Sequence, residues 1–251
     1  MMTYEFSLAG YEALLAAFAK RGYSVVDFDA VDPAERHLVL HHDVDLSIDY
    51  AVRMAEVEHR MGVSAWYFTL LRSDLYNPLS SDGLRGLRRL TILGHKVGLH
   101  FDASLYAQDR DSLDAAARNE CAVLETMLRA PVRVISFHRP APALLGMPGD
   151  FAGRLHTYAP KFFKEIGYCS DSQGRFRYGP PLDHEAVAAG RAFHLLTHPV
   201  WWCGQPDETT IGKLQRFLEE QKRACEMALA ANIIPYAEHL AHNRRTPAID
   251  G

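Results

Sequence analysis

Short apolar runs alternate with longer amphipathic stretches from residue 37 onward. The runs, which have the length of buried strands, lie at 37–40, 63–71, 96–101, 132–137, 168–169 and 192–196. Apolar residues spaced i, i+3/i+4 predict helices at about 48–61, 81–92, 110–129, 158–166 and 209–231, with another amphipathic helix in the N-terminal 21 residues. Strands that alternate with helices predict βαβ units and a mainly parallel sheet.

Six or seven such units in one chain favour a barrel over an open sheet. No G-x-G-x-x-G follows the first run and no P-loop is present, so a nucleotide-binding doubly wound fold loses its main support. No linker, repeat or low-complexity segment separates two domains. We therefore predict an α/β fold in a single (β/α) barrel domain over residues 1–251, with 1–30 as an N-terminal helical extension.

The composition is that of a globular protein. The chain has 251 residues, 48% hydrophobic and 23% charged, which excludes disorder, collagen and coiled coil. A net charge of −4, without a long basic block, removes the usual electrostatic basis for binding nucleic acid or anionic lipid. No apolar window is long enough for a membrane span, and no basic segment or cleavage site marks an export signal. We expect a cytoplasmic protein, in which four isolated cysteines stay reduced.

Titratable residues follow nearly every apolar run. Those at or just after the run ends are His41, His42, Asp43, Asp45, His100, Asp102, His138, Arg139, Asp171 and His198. Polar loops alone would supply Lys and Glu as readily as His and Asp. Because the carboxyl ends of parallel strands meet at one face of a barrel, we predict that these residues share a site.

Within this set, Asp43 and Asp45 can divide their roles, one binding a cation while the other serves as a base. His95 and His100 are five residues apart and would lie on opposite faces of a strand, so they cannot easily bind the same ion. His100, at the strand exit, is the better ligand, and His95 is expected to be structural.

At these residues the chain resembles the NodB-type polysaccharide deacetylases, the fourth family of carbohydrate esterases, and most of all its cytoplasmic branch in O-antigen and capsule gene clusters. Five stretches are similar to the family's motifs and occur in its order: His42-Asp43-Val44-Asp45, Gly94 to His100, Phe137-His138-Arg139-Pro140, Ser170-Asp171-Ser172 and Leu196-Thr197-His198-Pro199. They span residues 42–199. The resemblance implies a distorted barrel, often of seven strands, which agrees with the number of apolar runs.

The resemblance also implies a division of labour. Asp43 would be the catalytic base and His198 the general acid, with Arg139 and Asp171 orienting or tuning this pair. The reaction would be the N-deacetylation of an acetylated amino sugar or its conjugate during surface polysaccharide synthesis.

Asp45 and His100 would be ligands of a divalent metal, commonly zinc. The family usually takes its third ligand from a histidine four residues after the first, and here that position is Ser104, a poor zinc ligand. Three residues could replace it: Asp102, His138 or His42. We favour His138 because it ends the neighbouring strand. A two-residue site completed by water, and the absence of a metal, stay open.

Aromatic residues suggest a sugar ligand, because aromatic faces commonly pack on pyranose rings. Trp201 and Trp202 follow His198 closely, and Tyr67 lies on a predicted strand. Two adjacent tryptophans in an extended chain cannot both face a pocket, so one is expected to contact substrate and the other to pack.

Two further functions stay open. Ser104 favours an allantoinase-like hydrolase of a cyclic amide in the same barrel, without a metal requirement. A sugar-binding barrel with an eroded site is the third hypothesis. The joint presence of the candidate site residues speaks against it: Asp43, Asp45, His100, Arg139 and His198. No feature of the sequence sets an oligomeric state.

Overall fold

The computed structural model describes residues 5–245. Its helices and strands are, in chain order, α1 Leu8–Lys20, β1 Ser24–Val26, β2 His37–Val44, α2 Ile48–Arg60, β3 Trp66–Leu70, α3 Ser81–Ile92, β4 Lys96–Phe101, α4 Arg110–Leu128, β5 Val134–Phe137, β6 Leu155–His156, β7 Gly167–Ser170, α5 Glu185–Ala188, β8 Phe193–Thr197, α6 Pro199–Trp202, α7 Thr210–Asn232 and α8 Ile234–Arg245.

All the strands belong to one parallel sheet. Seven form a continuous path in the order β6-β5-β4-β3-β2-β8-β7, and β1 pairs with β2 beside that path. The path curls into a half-barrel, which confirms the predicted α/β fold and the seven-stranded distorted barrel.

Two compact units make up the chain, one ending at Asp207 and the other beginning at Glu208. The first contains the whole sheet, and α7 and α8 belong to the second. The single domain over residues 1–251, with 1–30 as a helical extension, stays a prediction. None of the helices in the described part of the chain combines the length and apolarity needed to cross a bilayer.

The strand β2 extends beyond the apolar run that predicted it. It continues through His41, His42 and Asp43 to Val44, because β3 and β8 supply ladder partners on both sides. All three side chains are buried. A buried strand therefore passes through polar residues, which the hydrophobic pattern does not predict.

Successive side chains of β2 point to opposite faces of the sheet. The imidazole of His42 faces the helical layer, where it contacts Glu58 of α2. On the other face, His41 packs on the core residues Phe28 and Phe68, and Asp43 shares that face. This alternation places one polar cluster behind the sheet and another inside the half-barrel.

Candidate functional site

A cavity of about 280 Å³ opens at the carboxyl ends of the strands. Its lining combines carboxylates, imidazoles and aromatic rings, and includes Asp43, Asp45, His100, Phe137, His138, Arg139, Tyr158, Ser172, Gln173, Leu196, His198, Val200 and Trp201. Six of the ten residues predicted to share a site line this cavity. The other four do not line it: His41, His42, Asp102 and Asp171.

Three side chains of the cavity place metal-ligating atoms close together. One ligand atom from each of Asp45, His100 and His138 lies within 4.8 Å of the other two. Asp45 Oδ1 is 3.1 Å from His100 Nε2 and 3.4 Å from His138 Nδ1, and the two imidazole nitrogens are 3.1 Å apart. The three residues come from the ends of β2, β4 and β5.

The chemistry of this cluster fits a divalent ion. Asp45 Oδ1 is buried and, among the described residues, accepts no hydrogen bond although two nitrogens lie nearby, as expected for atoms that converge on a shared point. Burial opposes ionisation of Asp45, but His100 and His138 outweigh it and hold its pKa below the usual range. His100 Nδ1 lies 3.3 Å from the carbonyl oxygen of Ser136, an acceptor that keeps its proton on Nδ1 and leaves Nε2 as the ligand atom. One carboxylate and two imidazoles suit zinc and similar ions.

Ser104 lies outside this cluster. Its backbone N–H and its hydroxyl both donate to Asp102 Oδ1, at 3.0 and 2.5 Å. Asp102 is therefore engaged with Ser104, and His42 is engaged with Glu58. Of the three residues considered as replacements for the family's second histidine, only His138 reaches the ligand cluster.

Asp43 is buried beside the cluster, at 2% exposure. Its Oδ1 lies 3.5 Å from His41 Nε2 and 3.6 Å from His100 Nδ1. Burial raises the pKa of Asp43. The charges of the nearby imidazoles, that of His100 above all, outweigh burial and lower the pKa to about 2. Asp43 is therefore ionised at neutral pH and able to accept a proton.

His198 is bound to a buried carboxylate. Its Nδ1 lies 2.6 Å from Asp171 Oδ1, and its backbone N–H donates to the same carboxylate at 3.1 Å. Burial lowers the pKa of His198, but the bond to Asp171 outweighs burial and raises the pKa to about 9. Since Nδ1 donates to Asp171, Nε2 faces the cluster, 3.8 Å from Asp45 Oδ2. The protonated ring can donate a proton there.

Arg139 is placed differently from the role that the resemblance implies. Its side chain lines the cavity, but it is 72% exposed and donates to Asp102 Oδ2 at 2.8 Å. Its φ of 44° lies in the left-handed region, which turns the chain just after β5. The guanidinium thus bonds to Asp102 at the cavity wall, and a role of Arg139 in orienting or tuning Asp43 and His198 stays a prediction.

The three predicted sugar-binding aromatics separate into one cavity residue and two packing residues. Trp201 lines the cavity. Trp202 is 0% exposed and donates from Nε1 to Asp171 Oδ2 at 2.7 Å, and Tyr67 is 0% exposed with its hydroxyl on Glu58 Oε2 at 2.6 Å. Trp202 and Tyr67 therefore pack inside the protein and do not line the cavity, contrary to their predicted role in substrate binding.

Glu58 is the residue that the sequence reading missed. It is 0% exposed and also accepts from the Tyr11 hydroxyl at 2.5 Å and from His42 Nε2 at 2.7 Å. His42 Nδ1 in turn lies 2.6 Å from the hydroxyl of Thr197, next to His198. A glutamate at an apolar-stripe position of α2, between Met54 and Met61, is the signal that could have found it.

His95 is buried outside the cavity. Its Nδ1 accepts from the backbone N–H of Ala65, and its Nε2 donates to the carbonyl oxygen of Ala55. These bonds join α2 to the chain before β3, in keeping with the structural role that its spacing from His100 predicts.

Comparison with known proteins gives similar solved structures at low identity. No family model matches the sequence, and no curated protein matches it. A Streptococcus pyogenes deacetylase in complex with acetate is 14% identical, with 82% of this chain and 84% of that chain covered and a TM-score of 0.44. A family 4 carbohydrate esterase from Bacillus anthracis is 12% identical, with 85% of this chain and 86% of that chain covered and a TM-score of 0.43. A CE4 family pseudoenzyme from Bacillus anthracis is 14% identical, with 77% of this chain and 63% of that chain covered and a TM-score of 0.39.

Proposed function

We propose that the protein removes the N-acetyl group from an acetylated amino sugar or its conjugate by hydrolysis. The observation that carries this proposal is that one cavity holds Asp43, whose pKa is lowered, and His198, whose pKa is raised, each close to a cluster that fits a divalent ion. Amide hydrolysis needs these functions together, a base for water, an acid for the leaving amine and a stabiliser of the oxyanion.

The chain's own residues supply the proton transfers. Asp43 takes a proton from water as the water oxygen adds to the acetamide carbonyl carbon. His198 then gives its proton to the amide nitrogen, the C–N bond breaks, and acetate and the free amine leave. A divalent ion held by Asp45, His100 and His138 would act as a Lewis acid toward the water and the carbonyl oxygen.

The substrate class rests on the resemblance and on the cavity wall. Trp201 offers an aromatic face beside His198, as expected for a pocket that holds a pyranose ring. The motifs resemble those of the O-antigen and capsule branch, so we assign the substrate to surface polysaccharide synthesis. A cytoplasmic location, expected from the sequence, would make the substrate a nucleotide-linked or lipid-linked sugar.

The test is acetate release from free, nucleotide-linked and lipid-linked N-acetylhexosamines by protein supplied with zinc. Asp43→Asn should reduce the rate by about 100-fold or more, because the amide cannot take the proton from water. Asp82→Asn, the same change at an exposed residue of α3, is the matched control and should keep the wild-type rate. Full activity of Asp43→Asn would refute the role of Asp43, and no acetate from any conjugate would refute the function.

The cyclic-amide alternative depended on Ser104. Ser104 bonds to Asp102, and His138 supplies the third atom of the ligand cluster. Ser104 therefore no longer favours a site without metal. Release of ammonia or ring-opened product from a cyclic amide, unchanged by chelation, would restore the alternative. Sugar binding with neither product would instead support an eroded site.

A further inference from the structure

A tight turn follows β7 and brings Gln173 to the wall of the cavity. The backbone N–H of Gly174 donates to the carbonyl oxygen of Asp171 at 2.9 Å, and the backbone N–H of Arg175 donates to the same oxygen at 3.2 Å. The carboxylate of Asp171 also holds the ring of His198. Gln173, which lines the cavity, is therefore fixed to the residue that orients the proposed acid.

The backbone of Gln173 has a conformation that is costly for a residue with a side chain. Its φ of 63° lies in the left-handed region. The bond from Gly174 to Asp171 makes Gln173 the third residue of the turn, a position that usually carries Gly or Asn when φ is positive. The turn explains this backbone, but it gives glutamine no advantage over glycine. Strain of this kind collects at functional sites, so the advantage has to lie in the side chain.

The side chain of Gln173 has uncommitted hydrogen-bond donors. Arg177 donates from Nη2 to Gln173 Oε1, and because a guanidinium can only donate, the amide oxygen is the atom that it holds. The amide nitrogen, Nε2, carries two N–H groups, for which the described residues supply no acceptor. Gln173 is exposed, so a ligand in the cavity can reach these donors.

Ser172, the other turn residue that lines the cavity, is already engaged. Its hydroxyl lies 2.7 Å from the hydroxyl of Ser170, within hydrogen-bond distance. Trp201 adds an aromatic ring to the same cavity. Binding pockets combine such apolar walls with a few placed polar groups, which fix the orientation of the ligand. Gln173 supplies a polar group of this kind.

We propose that Gln173 is a specificity-determining residue whose amide N–H groups donate to a hydroxyl oxygen of the amino sugar in the cavity, and that Arg177 positions the amide. The inference rests on the proposed function, because it takes an acetylated amino sugar as the ligand. Held at its oxygen, the amide presents donors only, and an oxygen of the sugar satisfies them. A sugar without that oxygen leaves the donors unpaired and binds less tightly.

The backbone strain is measured by urea unfolding of Gln173→Ala and Gln173→Gly. Both variants lack the amide, but only glycine adopts a φ of 63° without crowding, so Gln173→Gly should unfold at the higher urea concentration. Arg129→Ala and Arg129→Gly are the matched controls, because Arg129 is exposed, has a φ of 55° at the end of α4 and lies outside the cavity lining. They should show the same order. Equal midpoints for the two Gln173 variants would contradict the strain from which the inference starts.

Binding is measured by calorimetry on zinc-supplied protein that carries Asp43→Asn, in which hydrolysis is slow. The probes are N-acetylglucosamine, N-acetylgalactosamine and their uridine diphosphate conjugates. Gln173→Ala should weaken the Kd of the tightest probe by about fivefold, the effect of one hydrogen bond, whereas Arg129→Ala should leave the Kd unchanged. An unchanged Kd in Gln173→Ala would overturn the proposal.

Monodeoxy analogues of the tightest probe identify the hydroxyl. One analogue should bind its parent protein more weakly than the full sugar does and lose nothing further in Gln173→Ala, because the same hydrogen bond is already absent. The other analogues should lose the same factor in Gln173→Ala as the full sugar. A loss of that factor with every analogue would overturn the contact to a hydroxyl.

The positioning role of Arg177 is tested by Arg177→Met, which removes the donor and keeps a long side chain. The Kd should weaken when Gln173 is present, because the amide is released, and should not change further in Gln173→Ala. An equal effect of Arg177→Met in both proteins would show that Arg177 acts independently of Gln173, and would refute the positioning role.

The proposed function and the Gln173 contact fail in different ways. Acetate release by the wild type, together with an unchanged Kd in Gln173→Ala, would refute the contact alone. Binding of a probe without acetate release by the wild type would refute the proposed function and leave the contact standing. If none of the probes binds, the cavity does not hold an amino sugar and both proposals are refuted.

Discussion

His198 contacts the carboxylate of Asp171 both through its ring and through its backbone, with Nδ1 at 2.6 Å and the amide nitrogen at 3.1 Å from both oxygens. Asp171 follows β7 and His198 follows β8, so the ladder between these strands sets the spacing of the pair. Asp171 is 0% exposed, which strengthens its interaction with the imidazolium. The contact fixes which ring nitrogen faces the cavity and keeps the ring charged.

Asp171→Asn is expected to reduce kcat for acetate release by about 100-fold or more, because general acid catalysis by a correctly oriented His198 is lost. The pH profile gives a second measurement. His198 has a raised pKa, so its charged form is present below about pH 9 and is lost as pH rises through that value. Without the carboxylate charge the pKa falls, and the alkaline limb of the profile should move to lower pH.

Trp202→Phe is the control for this prediction. It removes the 2.7 Å hydrogen bond from Trp202 Nε1 to Asp171 but leaves the carboxylate charge beside His198. The alkaline limb should therefore stay close to the wild-type position. A shift as large as that of Asp171→Asn would show that packing around the pair, and not the charge of Asp171, sets the protonation of His198.

Metal affinity should distinguish His138 from Ser104. His138→Ala removes one of three converging ligand atoms, so zinc affinity measured by calorimetry should fall by more than the roughly 10–100-fold that loss of a ligand's hydrogen-bond partner costs. Ser104→Ala removes a hydroxyl that bonds to Asp102, outside the cluster, and should leave zinc affinity unchanged. The reverse ranking would place the third ligand near Ser104.

The two aromatic substitutions should separate binding from stability. Trp201→Ala removes a cavity wall and should raise KM by roughly fivefold, the effect of about 1 kcal/mol of lost ring contact. Tyr67→Phe removes a buried hydrogen bond to Glu58 and should lower the free energy of unfolding by about 1.5–3 kcal/mol, with KM unchanged. A raised KM in Tyr67→Phe would contradict this and show that Tyr67 takes part in substrate binding.

The part of the site that the sequence predicts is the part that depends on strand order. Asp45, His100 and His138 follow apolar runs, and parallel strands bring such residues to one face whatever the details of packing. Their convergence follows from local pattern and topology alone. The strands β1 and β6, which have three and two residues, are too short to show a period-2 pattern and were not predicted.

The partners of each side chain could not be predicted, because they depend on which face of an element is buried and on contacts distant in sequence. Arg139 was assigned to the catalytic pair and bonds to Asp102, and Tyr67 was assigned to a sugar and bonds to Glu58. Glu58 itself lies on a helix that reads as an ordinary amphipathic element. Only the three-dimensional arrangement shows that this glutamate holds residues of α1, β2 and β3.

Buried neutral histidines should make the stability of the fold depend on pH. Burial, together with the nearby His41, lowers the pKa of His194 well below its usual value, whereas the unfolded chain titrates near about 6.5. Below that pH the unfolded state binds a proton that the folded state does not. The stabilisation is therefore fully present above about pH 6.5 and is lost as pH falls, by at most about 1.4 kcal/mol per pH unit for each such group. His41, whose pKa burial also lowers, acts in the same direction.

His198, whose pKa is raised, acts in the opposite direction, so the test compares two proteins that both contain it. In urea unfolding at about pH 7.5, 6.5 and 5.5, the free energy of unfolding of the wild type should fall relative to that of His194→Gln, which has no titrating group at this position. Equal slopes in the two proteins would mean that His194 is protonated in the folded state as readily as in the unfolded chain, and would contradict the neutral, buried ring.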